Sequence, residues 1–297
     1  MCETELGMSD RNGNPKPVLR EMKAFSEWLE ESKLTLPKAK VDAVCIMTEG
    51  QPHWGIAYMS YILAKQSGIN LQFADCANDL PESDFYMMPS IQSVHVMKMD
   101  KFKKLKERVF AGATLYISNS ESVLSEFKEL TGVVINDSQT VCQHGKFSVN
   151  GKNVEYAYNR KLTVTADGAE VLCYDEENNP LITSFRYGQG KVIYVNFPLE
   201  KNLLQVSDMH LTDQREIYKM IFAEKINKHV VRSDCKYVGI TEHHDKDGTV
   251  YAVIINYSDK TVNPEIVIDE AYKCESVIKG SVETIEPFDV AIIRLKY

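Results

Sequence analysis

Four side chains have types and spacing suited to substrate contact: Glu3, Glu5, His53 and Trp54. Glu3 and Glu5 stand two residues apart, so on a strand they share one face. They read as a paired acidic contact or as two solvated loop carboxylates. His53 and Trp54 lie in the loop Thr48-Glu49-Gly50-Gln51-Pro52-His53-Trp54-Gly55, which leads into a helix. An imidazole beside an indole can stack on a sugar ring, fill an interface, or pack at the helix start. The same loop has a carboxylate and a proline where a phosphate site needs glycines that expose backbone N–H groups, so neither flavin nor dinucleotide is expected and no cofactor is assigned.

His243 and His244 resemble a metal pair, but neighbours on a strand face opposite ways and cannot both ligate one ion. Asp245, Asp247 and Gly248 lack the spacing of a calcium loop. A hairpin tip is expected there, and no metal. The seven cysteines (Cys2, Cys45, Cys76, Cys142, Cys173, Cys235 and Cys274) are odd in number and widely spaced, with no C-x-x-C. Cys45 and Cys173 sit in apolar, strand-like runs. This pattern predicts buried free thiols in a reducing compartment, the cytoplasm, and not a disulfide framework or a zinc site.

These residues need a frame, and the hydrophobic pattern supplies one. Residues 41–47 form a continuous apolar strand. A helix over 54–66 is closed by Gly68, and strands follow at 70–74 and at 85–88, the latter ended by Pro89. A basic amphipathic helix over 97–110, a strand at 113–118 and a helix over 123–130 continue the alternation. Such alternation predicts βαβ units and a mainly parallel sheet covered on both faces. Residues 135–175 change character and read as a β insertion. A hairpin at 181–197 and a long helix over 213–228 follow. Beyond residue 232 the helices stop, and short strands with an Asp247-Gly248 turn predict an antiparallel β-sandwich. At the other end, Leu19, Met22, Phe25 and Leu29 recur at helical spacing behind Pro15 and Pro17. An isolated helix of that length is marginal in water, so it must dock on something.

The chain has 297 residues, 44% hydrophobic content and a net charge of −8. It can bury a sizeable core. Its densest basic run, 98–108, is one face of a helix, so nucleic acid is not expected. The longest apolar run, 250–255, is far too short to span a membrane. No secretion signal is legible at the N-terminus.

Three strings also resemble known families. Glu5-Leu6-Gly7, Asn12-Gly13-Asn14-Pro15-Lys16-Pro17-Val18-Leu19, Lys23 and Phe25 resemble the last β/α unit of (β/α)8-barrel glycoside hydrolases. Asn70-Leu71-Gln72-Phe73-Ala74, Asp79-Leu80, Asp84 to Pro89, Phe110 to Leu115, Thr131-Gly132 and Tyr187-Gly188-Gln189-Gly190-Lys191 resemble the amidotransferase-like trimerisation domain behind the barrel of certain β-galactosidases. Residues 285–293 resemble the last strand of the small β domain that ends those enzymes. The resemblance implies a barrel remnant and linker at 1–36, a flavodoxin-like (class I glutamine amidotransferase-like) α/β domain at 37–232 and a β domain at 233–297.

Glycoside hydrolysis uses two carboxylates flanking the scissile bond. By this resemblance both would lie upstream of Met1, so no catalytic residue is assigned and Glu3 and Glu5 would be substrate contacts at most. The amidotransferase likeness places a nucleophile turn at 117–121, where Ser118 to Glu121 offer neither Cys nor flanking glycines, so a degenerate domain is expected. The implied function is accessory: an oligomerising C-terminal region, partnered by its own copies or by a barrel polypeptide. The alternatives are a carbohydrate-binding module centred on Trp54, or an amidotransferase-like or glycosidase subunit completed by another chain.

Overall fold

A computed structural model describes residues 7–93, 95–122, 124–206 and 212–297. Glu3 and Glu5 lie outside the described residues. The chain divides into two compact units, Met1–Lys38 and Ala39–Tyr297.

In the first unit, Asp10 closes a tight turn. Its Oδ1 accepts from the N–H groups of Asn12 (2.8 Å) and Asn14 (2.9 Å). Helix α1 (Pro17–Ser32) starts on a proline at its first position, where a missing N–H costs nothing, and ends on Lys33 in the left-handed region. None of its residues is buried. Val18, Met22, Phe25 and Leu29 remain between 38% and 52% exposed along one stripe.

The second unit is built on a seven-stranded sheet. Strands β1 (Ala43–Met47), β2 (Leu71–Asp75), β3 (Phe85–Ile91) and β4 (Thr114–Asn119) run parallel. The strand β9 (Gly190–Val195) joins them in parallel, while β8 (Pro180–Tyr187) and β7 (Glu170–Tyr174) extend the edge antiparallel. The order is β2-β1-β3-β4-β9-β8-β7, so the parallel part has the 2-1-3-4-5 order of flavodoxin-like folds. Every residue of β1 is buried. Alternate side chains feed opposite cores, as a strand's period of two requires. Ala43, Cys45 and Met47 join Ile56, Met59 and Leu63 of α2 (His53–Gln66). Val44 and Ile46 join Phe102, Leu105 and Val109 of α3 (Met99–Phe110). The mainly parallel, doubly covered sheet is as expected.

Four local expectations change. Strand β3 runs through Pro89 to Ile91, with its ladder to β4 broken between Met88 and Ile91, a position where a missing N–H is tolerated. The helix expected over 123–130 shrinks to α4 (Phe127–Thr131). The insertion is a single long hairpin, β5 (Val133–Val149) with β6 (Lys152–Ala166). The helix expected over 213–228 follows the short α5 (Leu199–Leu203) and is two pieces, α6 (Arg215–Ile221) and α7 (Ala223–Ile226). They break at Phe222, which is fully buried with its ring centroid 4.3 Å from that of Phe85.

Behind this sheet lies a smaller antiparallel one, order β11-β12-β15-β14, from β11 (Val238–His244), β12 (Val250–Asn256), β14 (Lys273–Lys279) and β15 (Val290–Lys296). The two-residue strands β10 (Val231–Arg232) and β13 (Val267–Ile268) form a separate ladder whose side chains share the same apolar core. Residues 282–285 contribute only a bridge, Val262 to Ile285. The Asp247-Gly248 turn closes the β11–β12 hairpin as the sequence predicts. No described helix is long and apolar enough to cross a membrane.

Candidate functional site

In a flavodoxin-like sheet the ligand crevice lies outside the strand C-termini where the order reverses, here after β1 and β3. The loop after β1 folds back on itself. Gln51 is buried, accepting from the Thr48 N–H (2.9 Å) and donating to the Pro89 carbonyl (2.9 Å). Gln92 donates to the Gly50 carbonyl. Gly50 has φ +76°, and a Cβ there would lie 2.4 Å from Ser93 Cβ, so the loops after β1 and β3 touch where a phosphate would otherwise sit. His53 donates from Nε2 to the Thr48 carbonyl (2.7 Å), which commits one ring nitrogen to bracing the loop. Trp54 is 84% exposed, its ring nearly parallel to that of Tyr58 one turn on, 6.2 Å between centroids. The predicted pair is therefore adjacent but divided: His53 holds backbone and Trp54 faces outward.

Beneath this loop is a polar cluster that sequence reasoning did not find. Glu200 is fully buried at the start of α5. Its Oε1 accepts from Tyr116 (2.7 Å) and Tyr218 (2.9 Å), and its Oε2 from Ser90 (2.8 Å) and Ser118 (2.5 Å). Two oxygens thus accept from four hydroxyls, the full capacity of the group. Burial first, and Glu200 second, push the Tyr116 and Tyr218 phenols well above their ordinary range. Burial likewise pushes the Cys45 thiol up, which makes it inert as a nucleophile. The backbone feature of a nucleophile elbow appears at Ser90, φ +43°, and not in the 117–121 turn. Ser90 Oγ also accepts from the Lys201 N–H (3.0 Å). Among the described residues, Ser90 Oγ meets the Glu200 carboxylate and the Lys201 N–H, and Glu200 meets only hydroxyls; no imidazole is among these partners, so the arrangement lacks the Ser–His pairing of an acyl-transfer triad. The one sequence hint was that apolar Phe197, Leu199 and Leu203 flank Glu200.

A second buried cluster joins the two sheets. Asp42 Oδ1 accepts from His229 Nε2 (2.8 Å) and its Oδ2 from the Asn70 N–H (2.8 Å). Glu242 Oε1 accepts from the Val231 N–H (2.8 Å), while its Oε2 meets Lys40 (3.2 Å) and His244 (2.9 Å). Burial acts to raise the Glu242 pKa, but the charge of His229, the Val231 N–H, His244 and Lys40 together hold it below its ordinary value. His244 is thus a hydrogen-bond partner of Glu242. Among the described residues no group of three or more His, Cys, Asp or Glu side chains is arranged to hold a metal ion.

Comparison with known proteins accords with this geometry. The β-galactosidase from Rahnella sp. R3 superposes with a TM-score of 0.70 at 14% identity, over 97% of this chain and 46% of its own. The β-galactosidase from Bacillus circulans sp. alkalophilus does so at 0.68 and 14%, over 97% and 46%. The α-L-fucosidase isoenzyme 2 from Paenibacillus thiaminolyticus scores 0.66 at 11%, over 97% and 54%. The chain spans less than half the length of these two β-galactosidases. No curated protein matches it by sequence. Residues 59–218, more than half of the chain, match the model of the β-galactosidase trimerisation domain, and the protein belongs to that family.

Proposed function

We propose that the chain is the non-catalytic C-terminal region of a β-galactosidase-like glycoside hydrolase and that it holds the enzyme in a homo-oligomer, a trimer. One observation carries this reading: the trimerisation-domain match, in a chain that spans under half of the β-galactosidases it superposes on. The exposed apolar stripe of α1 supports it. An isolated amphipathic helix of this length needs a partner surface, here the barrel of which residues 1–36 would be the last unit. Residues 37–232 and 233–297 are then the trimerisation domain and the terminal β domain. The six described cysteines are free thiols, which suits the cytoplasm. Light scattering across a concentration series tests the oligomer. Three times the chain mass is expected, and a monomer at every concentration overturns the reading.

A second reading, a carbohydrate-binding module, is favoured by the outward ring of Trp54 stacked on Tyr58. Titration with galactosides and mannosides tests it. Heat of binding lost in Trp54→Ala supports it, and no heat with any sugar removes it.

A further inference from the structure

Where the second half of α2 meets the smaller sheet there is an open cleft of about 710 Å3. That volume lies within the range of small-molecule sites, and the junction of two structural parts is where such sites concentrate. The floor is aromatic. Tyr58 and Tyr61 come from α2, Tyr257 from just after β12 and Phe288 from just before β15. All four are at least 37% exposed, so flat apolar surface faces water inside a concavity. Tyr61 and Tyr257 join hydroxyls across the junction at 3.2 Å, which fixes both rings.

The rim is cationic. Lys65, Lys236 and Lys260 line the cleft against a single carboxylate, Asp259. On a chain with net charge −8 this is a local reversal of sign. Lys65 donates to Asn70 and to Thr241 (2.9 Å), which leaves one of its three N–H groups for a ligand. Burial lowers the Lys65 pKa to about 8, so an anion beside it would restore what burial removes.

We propose that this cleft binds an acidic saccharide: a sugar ring laid on the tyrosine faces, its carboxylate held by Lys236, Lys260 and Lys65. Aromatic faces select a ligand with a flat apolar side and polar edges. The charge of the rim selects an anion. A phosphate-bearing ligand fits less well. Among the described lining residues there is no arginine to grip a phosphate bidentately and no glycine to expose backbone N–H groups to it. The proposal is independent of the oligomerisation reading. It is tested separately from sugar binding at Trp54, since none of the four variants below changes that residue.

Calorimetry on the full chain tests it, with an oligogalacturonate, its neutral methyl ester and ADP as probes. The oligogalacturonate should bind, the methyl ester about tenfold more weakly, and ADP more weakly than either; affinity should fall as salt screens the lysines. Lys236→Gln and Lys260→Gln should each weaken the acid about three- to fivefold and leave the ester unchanged. Tyr257→Ala should lose about tenfold or more for both sugars, and Tyr257→Phe, which keeps the ring, should stay within about threefold of the parent. Equal binding of acid and ester, tighter binding of ADP, no heat with the acid, or lysine variants that bind as the parent does would each overturn the proposal.

Discussion

At Glu200, four hydroxyls from three elements, β3, β4 and α6, converge on one fully buried side chain. Removing the acceptor strands all four donors, and each unsatisfied buried group costs about 1–3 kcal/mol. Glu200→Ala should therefore lower the unfolding free energy by about 3 kcal/mol or more, measured by urea denaturation. Glu200→Gln keeps the shape and part of the network and should cost about half as much. A Glu242 prediction turns on pH. Its folded pKa lies below its ordinary value, so the unfolded chain binds the proton more readily. Its contribution is present in full above about pH 5 and is lost as pH falls through the folded pKa. Glu242→Gln should cost about 3 kcal/mol at neutral pH and flatten the fall in the urea midpoint below pH 5. Both residues escaped sequence reading for one reason. A single Glu has no local signature when its partners come from distant segments: Ser90 lies 110 residues from Glu200, and Lys40 lies 202 residues from Glu242. His53 and Trp54 stand out in the sequence as candidates because residue type and loop position alone mark them.

Among the elements, those with a clean period were legible. The alternation of apolar strands and amphipathic helices gave the parallel sheet and both of its cores. Elements decided by tertiary contacts were not. Phe222 breaks a helix that the apolar spacing would carry through, because its ring is buried against Phe85. Pro89 does not stop β3, because it falls where the ladder is already broken and its carbonyl accepts from Gln51. The long β5–β6 hairpin was hidden because much of β5 is exposed and polar, so no strict alternation marks it. The Tyr187-Gly188-Gln189-Gly190-Lys191 string, in contrast, was legible and now has a physical reason. A Cβ at Gly190 would lie 2.1 Å from the carbonyl oxygens of both Val109 and Ala113. Those atoms are backbone and cannot step aside. Gly190→Ala should lower the thermal midpoint by well over the shift of an ordinary surface change, with a loss of about 3 kcal/mol.

For the whole molecule, two outcomes follow from the accessory reading. Assayed on a panel of aryl glycosides, the chain should turn over no faster than buffer. Turnover above buffer, abolished by one Glu→Gln change in this chain, would contradict that. The crevice after β1 should give no heat with FMN or NAD, because the Thr48 N–H and the amide N–H groups of Gln51 and Gln92 already donate within the loop, to Gln51, Pro89 and Gly50 oxygens. Micromolar binding of either would show that the loop opens.

The charge cluster at the seam between the sheets has a further consequence for how the molecule comes apart. Glu242 is supplied by the smaller sheet, while Asp42, His229 and Lys40 come from the chain leading into and out of the larger one. Melting the smaller sheet alone would leave Asp42 and His229 without their neighbour, and a buried ion stripped of its counter-charge is costly. The two sheets should therefore unfold in a single calorimetric peak, with van't Hoff and calorimetric enthalpies equal. By the same argument the last 65 or so residues are not a transplantable module: cut loose, they would carry an acid whose counter-ions stayed behind.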